Sequence, residues 1–393
     1  VVPAPVAPDA GVSAPSLVAN AGIGTGPEQL DAVIAALGVS RAQLQAGAPC
    51  LDAVVAGVTA LEDAPDVNAG TGAALRLDGS VELDAAVMTS RGVFGAVAAL
   101  RDVRHPARIA RAVADTPHRL LTGDAAVRLA RSLGEEPFEL RTEASGARYQ
   151  ELITQLAAGG AHGVEPGVVS WPRSEGAPAF WQTYLPRSAP RAPPARPADP
   201  PGAPVAPAPT VAPVAASEPA VERATTSPPP AAMSALPAPP TASAAAPRAA
   251  ASSSSAPRPA APGGDTVALL ARCPDGDFVG VVSGGGPWLS LPGRVGDVPV
   301  PGGALYVGAK GAVFASGLGE AILDRLLARA AYEELVSSGS AEDALSRALG
   351  PAPSGDVSLT ILDEHGVTVA PAGASAWAAL DPTLRTSAQG APP

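Results

Sequence analysis

At 393 residues the chain could hold two or three domains, but 46 prolines, 42 glycines and 3% aromatic residues lower that number. A net charge of −11 excludes a protein that grips nucleic acid through a general basic footprint. No run reaches the ~18 apolar residues of a membrane helix, so no spanning segment is expected.

Residues 1–15, beginning Val1-Val2-Pro3-Ala4-Pro5, read as a disordered tail. Residues 16–185 form the first foldable part. Helices are expected over 28–46 and 50–63, the second carrying Leu51, Val54, Val55, Val58 and Leu61 at helical spacing. A Gly-rich turn, Val67 to Gly72, precedes strands expected at 73–77, 81–88 and 93–100. Pro106 suits the first position of a helix, where its missing N–H costs little. That helix should run to about 115, with others at 123–133 and 149–159. Residues 186–264 hold 22 of the 46 prolines and almost no large apolar side chains. Such a stretch cannot bury enough surface to offset its conformational entropy, so it reads as a disordered linker.

The second part covers 265–380. Strands are expected at 266–273, 277–283, 304–308 and 311–316. One long helix, 318–337, and a short one, 341–349, come next, and strands at 356–362 and 366–370 complete the part. Residues 381–393 read as another disordered tail. Helices flank β-hairpins in both parts, which implies sheets sandwiched between helices. The two cysteines, Cys50 and Cys273, form neither a disulfide framework nor a metal motif. Two buried thiols are expected, with one long-range disulfide left open. The chain begins with Val. A removed signal peptide would imply a secreted or periplasmic protein, and a trimmed chain a cytoplasmic one.

The bond between Asp265 and Thr266 is the most informative point. It ends the linker and opens an apolar run, Val267-Ala268-Leu269-Leu270-Ala271. A threonine hydroxyl inside a continuous chain is a poor nucleophile. Cleavage before it would release an α-amine, with a pKa near ~8, that can act as its own general base.

Flanking motifs give this point a family context. Leu61-Glu62-Asp63-Ala64-Pro65-Asp66-Val67-Asn68-Ala69-Gly70-Thr71-Gly72, Glu82-Leu83-Asp84-Ala85-Ala86-Val87-Met88, Gly95-Ala96-Val97-Ala98 and Thr116-Pro117-His118-Arg119-Leu120-Leu121-Thr122-Gly123 occur in order. After Thr266 come Pro292-Gly293-Arg294-Val295-Gly296-Asp297-Val298-Pro299 and Ser316-Gly317-Leu318-Gly319-Glu320. Together these resemble the asparaginase-2 / isoaspartyl peptidase family of N-terminal-nucleophile threonine hydrolases, of peptidase T2 type. The resemblance implies an α/β (α+β) fold, a four-layer αββα sandwich cut between Asp265 and Thr266. The parts before and after the cut would be α- and β-subunits, assembled as a dimer of heterodimers.

The resemblance also implies roles. Thr266 matches the nucleophile, Ser316 and Gly317 the oxyanion donors, and Asn68 an active-site asparagine. Arg294 and Asp297 match the pair that takes a substrate's α-carboxylate and α-ammonium, and Gly319 is a further substrate-binding position. A guanidinium fork suits the first group and a carboxylate the second. The loop carbonyls of Leu61, Glu62, Ala64, Val67, Ala69 and Thr71 correspond to a structural sodium site in several members. No catalytic metal and no required cofactor is implied. The expected substrates are isoaspartyl dipeptides and L-asparagine, attacked through a β-aspartyl-enzyme intermediate.

This chain departs from the pattern in three places. Gly284 stands where the family has a hydroxyl that supports the nucleophile. Ser283 beside it should face the other way, because neighbouring strand residues alternate. Val18 to Gly24 replaces the family's HGGAG, and Ser290 stands where many members have lysine. Two alternatives remain: a taspase-like endopeptidase cutting after Asp, disfavoured because Asp297 suits a terminal amino acid, and a weakened member with a binding or structural role. Gly22-Ile23-Gly24-Thr25-Gly26 lacks phosphate-loop spacing and reads as a turn. His105, His118, His162 and His365 lack metal-ligand spacing. Asp84 reads as a structural hydrogen-bonding residue.

Overall fold

The computed structural model describes residues 15–157, 266–350, 357–370, 375–381 and 386–389. The 186–264 linker, Asp265 and the N-terminal tail apart from residue 15 lie outside the described residues. Those described belong to one compact unit.

Two sheets form the centre. The larger has the order β12-β11-β1-β5-β6-β2-β3-β4 and is antiparallel except between β3 and β4. Its strands are β1 (Ser16–Ile23), β2 (Leu83–Thr89), β3 (Phe94–Leu100), β4 (Leu120–Thr122), β5 (Val267–Arg272), β6 (Phe278–Gly284), β11 (Ser375–Leu380) and β12 (Thr386–Gln389). The smaller, antiparallel sheet has the order β10-β9-β8-β7, from β7 (Leu305–Gly308), β8 (Gly311–Gly317), β9 (Val357–Asp363) and β10 (Val367–Ala370).

Alternation along the strands builds the layers. On β5, Val267, Leu269 and Ala271 join the core under helices α1 (Pro27–Gln45), α2 (Cys50–Glu62), α3 (Pro106–Ala114) and α4 (Gly123–Ser132). Ala268 and Leu270 point the other way, into a core shared with Ala312 and Phe314 of β8. Val313 and Ala315 of β8 face helices α6 (Gly319–Arg325), α7 (Leu327–Ser338) and α8 (Ala341–Leu349). The result is the four-layer αββα sandwich. Because the large sheet is covered on both faces, β5 and β6 read as continuous apolar runs. Helix α5 (Glu143–Ala157) packs Tyr149 and Leu152 on Leu75, Leu77 and Trp288 at one side.

Four expectations are corrected. The helix over 318–337 is two helices, because Leu326 adopts left-handed φ 44 and ψ 57. The restarted helix finds its own N-terminal acceptors: Ala328 and Arg329 N–H donate to the carbonyls of Gly303 and Gly302 at 3.1 Å. Residues 73–77 form no sheet strand. Two of them bond to 289–290 instead, with Leu289 N–H donating to Leu75 C=O and Leu77 N–H to Ser290 C=O, both at 2.9 Å. Residues 386–389, expected in a disordered tail, pair with β11 as β12.

The fourth correction concerns the cysteines. The expected pair of buried thiols is a disulfide, Cys50–Cys273, spanning 223 residues with a Cα–Cα distance of 6.0 Å. It joins the start of α2 to the residue after β5, and so ties the first part to the second. Alkylation of unreduced, denatured protein should therefore add no label to either cysteine, and reduction should expose two thiols. Two labels before reduction would contradict the bridge. Among the described residues no helix is long and apolar enough to cross a membrane.

Candidate active site

Thr266 lies just before β5 and is buried. By the alternation of that strand it shares the face of Ala268 and Leu270, towards the second sheet. Ser316, near the end of β8, shares the inward face of Ala312 and Phe314 and is fully buried. The two sheets therefore aim a threonine and a serine into the same layer.

Gly22, on β1, is where they meet. A Cβ built there would lie 2.9 Å from Thr266 N, 2.8 Å from Thr266 O and 2.9 Å from Ser316 Oγ. Only glycine, at φ 91, leaves room for this approach. Asn20 fixes the turn: its Oδ1 accepts from Gly22 N–H at 2.7 Å and from Ser375 Oγ at 3.0 Å. Its Nδ2 donates to Thr360 Oγ1 of the second sheet at 3.1 Å. Thus the segment that replaces HGGAG still delivers a close-packed glycine. Ile23 N–H then donates to Ser316 Oγ at 3.1 Å, which leaves the hydroxyl proton available to another acceptor. Gly317 follows at φ 136, a conformation that favours glycine.

Gly284 ends β6 beside the threonine. A Cβ there would sit 3.4 Å from Thr266 Oγ1 and 3.6 Å from Val298 Cγ2, both ordinary contacts. The position borders the hydroxyl and has room for a side chain. Ser283 faces the helices instead, near Glu62, although neither Ser283 Oγ nor Glu62 Oε2 completes a hydrogen bond. Burial pushes the Glu62 carboxyl up to about 8, opposed by the Ser283 hydroxyl and by the Ala107 N–H. That N–H, in the first turn of α3, donates to Glu62 Oε1 at 2.9 Å, so the side chain caps α3.

Asn68 is spent on the loops around the site. Its Nδ2 donates to Gly286 C=O at 2.8 Å, and its Oδ1 accepts from Ala74 N–H at 2.7 Å. Gly285 N–H donates to Asn68 C=O at 2.9 Å. These bonds hold Gly284 to Gly286 in place.

Arg294 and Asp297 occupy the loop between β6 and β7. A Cβ on Gly319 would lie 2.6 Å from both Arg294 Nη2 and Asp297 Oδ1, so Gly319 keeps the space around both open. Asp297 is buried with its Oδ2 unpartnered. Burial pushes its carboxyl up to about 7, against its own backbone N–H and the nearby Arg294 charge. Arg294 Nε donates to Glu320 Oε1 at 3.0 Å.

Buried charges on and before β2 support this loop. Glu82 Oε2 accepts from Gly293 N–H at 2.7 Å. Asp84 accepts from Ala99 N–H at 2.8 Å and, at the long limit of 3.5 Å, from Gly296 N–H. Burial raises the Asp84 carboxyl. Arg76, fully buried, pairs with Glu82 at 3.3 Å and hydrogen-bonds Ser290 Oγ. A cation thus stands where Ser290 replaces lysine, delivered from another loop. Asn20, Gly22, Arg76, Glu82 and Glu320 were not singled out as site residues. For Arg76 the available signal was an arginine between Leu75 and Leu77 in an apolar run.

The 61–71 loop has the oxygen chemistry of a hard-cation site. A Cβ on Gly70 or Gly72 would collide with the carbonyl oxygens of Glu62 or Val67, and Thr71 Oγ1 is buried without a partner. The Leu61 carbonyl already accepts from the N–H groups of Asp63 and Ala64, and the Ala69 carbonyl from that of Gly72. Among the described residues no group of three or more His, Cys, Asp or Glu could hold a metal.

Residues 17–175 and 235–380 match the family Asparaginase_2, described as asparaginase. A plant-type L-asparaginase of Thermococcus kodakarensis is 42% identical over 132 residues, 33% of this chain and 43% of the relative. Another from Pyrococcus abyssi is 40% identical over 135 residues, 34% and 44% of the two chains. An isoaspartyl peptidase/L-asparaginase of Macaca fascicularis is 38% identical over 149 residues, 35% of this chain and 48% of the relative. The matched stretch thus spans less than half the length of each of these relatives.

Proposed function

Because this chain belongs to the Asparaginase_2 family, we propose that it is a threonine amidohydrolase, activated by cleavage between Asp265 and Thr266, that acts on isoaspartyl dipeptides and L-asparagine. The observation that carries this reading is the single point on Gly22 that lies 2.9 Å from both Thr266 N and Ser316 Oγ. The atom that would become the free amine and the hydroxyl that would act as oxyanion donor thus border one small space.

In this reading Thr266 Oγ1 attacks the β-carbonyl carbon while the released α-amine takes its proton. The Ser316 hydroxyl and the Gly317 N–H stabilise the tetrahedral oxyanion. Proton return to the departing amine breaks the C–N bond and leaves a β-aspartyl ester on Thr266. Water, activated by the same amine, then releases aspartate. Arg294 receives the substrate carboxylate and Asp297 its ammonium. Asn68 holds the Gly284–Gly286 segment in register. A sodium ion would sit on the oxygens of Leu61, Glu62, Ala64, Val67, Ala69 and Thr71, holding the loop that carries Asn68 and supplying no step. The cleaved parts would assemble as a dimer of heterodimers.

Gly284 makes a quantitative test. Gly284→Thr places a hydroxyl beside Thr266 Oγ1 in space that already accepts a Cβ. One such bond is worth about 1–2 kcal/mol, so kcat on β-Asp-Leu should rise roughly tenfold. Gly284→Ala fills the space without a donor and should give no gain. Equal rates for all three proteins would remove position 284 from the mechanism.

A further inference from the structure

Arg294 and Asp297 carry opposite charges and stand close, yet they are not paired. One point above Gly319 is 2.6 Å from both Arg294 Nη2 and Asp297 Oδ1, so these atoms are at most about 5 Å apart. Among the described residues no ion pair joins them, and Asp297 Oδ2 has no hydrogen bond. Direct pairing would bring the atoms to about 2.8 Å and cancel both charges.

Glu320, at the start of α6, stands in the way of that collapse. Its Oε1 takes a hydrogen bond from Arg294 Nε at 3.0 Å and lies 2.9 Å from Nη2. The second contact lacks hydrogen-bond direction, so Nη2 keeps its donors free. Glu320 is 59% exposed and Arg294 14%, so the carboxylate grips the guanidinium from the solvent side. The other end of the fork faces glycine: Cβ atoms on Gly286 and Gly296 would lie 3.1 and 2.6 Å from Nη1. From the other elements, Asp84 attracts Arg294, while the Arg76 guanidinium repels it.

We propose that Glu320 is a positioning residue that holds Arg294 off Asp297, so that two opposed charges remain open for the two ends of an aminoacyl group. This rests on the substrate reading above for its catalytic consequence, though not for its geometry. Glu320 would act through Arg294 without touching the reacting atoms. Its removal would let Arg294 fold onto Asp297, and substrate would then have to break that pair before binding.

The test compares wild type, Glu320→Ala and Glu320→Gln as full chains. With β-Asp-Leu, Glu320→Ala should raise KM about tenfold or more with kcat within twofold, and Glu320→Gln should lie between. A second readout needs no activity: the Asp297 carboxyl, followed by carbon-13 NMR, should titrate near pH 7 in wild type, lower in Glu320→Gln, which loses only a nearby negative charge, and lower again in Glu320→Ala, which also releases Arg294. Equal Asp297 titration in Glu320→Gln and Glu320→Ala would overturn the proposal. So would a fall in kcat at constant KM, which is the pattern of a general structural loss. If wild type hydrolyses no β-aspartyl substrate while Asp297 still titrates lower in Glu320→Ala than in Glu320→Gln, the substrate reading fails and the positioning role stands.

Discussion

Thr266→Ala should leave the chain uncut and abolish hydrolysis of β-Asp-Leu. The substitution removes the hydroxyl that lies beside Gly284, and with it both the proposed attack on the preceding peptide bond and the proposed attack on substrate. Burial of Thr266 does not predict collapse on mutation, because alanine is smaller and the strand face it joins is apolar. Far-ultraviolet circular dichroism should therefore match wild type. Thr266→Ser, which keeps a hydroxyl and an amine, should retain cleavage and measurable turnover. Turnover by a folded Thr266→Ala chain would place the nucleophile elsewhere.

Asp297→Ala should produce the second large effect. A buried carboxylate oxygen without a protein partner is costly, and a substrate ammonium is what would offset that cost. Losing one side of such a pair costs about 2–5 kcal/mol, or roughly thirty- to several-thousandfold in kcat/KM. The loss should be specific. N-succinyl-leucine lacks the α-amine, and its slow hydrolysis should differ little between wild type and Asp297→Ala. An equal loss on both compounds would argue for damage to the fold.

The pH dependence has a defined sign. With its carboxyl pushed up to about 7, Asp297 is protonated below that pH and cannot attract an ammonium. KM should therefore rise as pH falls through about 7. Stability moves the opposite way. The folded carboxyl holds its proton more tightly than an unfolded aspartate, so its contribution to stability is greatest at low pH and declines from the ordinary carboxylate range up to about 7. Glu62 extends the same decline to about 8. Asp297→Asn should flatten the lower part of this slope in urea denaturation.

Much of the fold was legible because its cores follow simple periods. Val267, Leu269 and Ala271 against Ala268 and Leu270 already define two buried faces. The break at Leu326 was hidden, because its cause lies in carbonyls of Gly302 and Gly303 contributed by another loop. The Cys50–Cys273 bridge was equally distant, across 223 residues. β12 gave no apolar alternation to read: it pairs through its backbone with β11.

The site was legible by likeness of motifs more than by chemistry. Arg294 and Asp297 on their own could have been a loop ion pair, and the structure keeps them unpaired. Ser283 illustrates the reverse: strand alternation alone placed its hydroxyl away from Thr266, and it points towards Glu62. The changes in β1 and at Ser290 looked like losses in one dimension. In three dimensions Asn20 and Gly22 rebuild the close approach, and Arg76 brings a cation to Ser290. The missing hydroxyl at Gly284 has no such replacement among the described residues.

Intact mass of the purified wild-type protein after reduction, with N-terminal sequencing of the smaller species, tests the central claim most directly. Reduction is needed because Cys50 and Cys273 lie on opposite sides of the proposed cut. Two chains are expected, one beginning Thr266-Val267-Ala268 with a free α-amine. A single reduced chain in which the Asp265–Thr266 bond stays intact, in protein that nonetheless hydrolyses β-Asp-Leu, would contradict that claim.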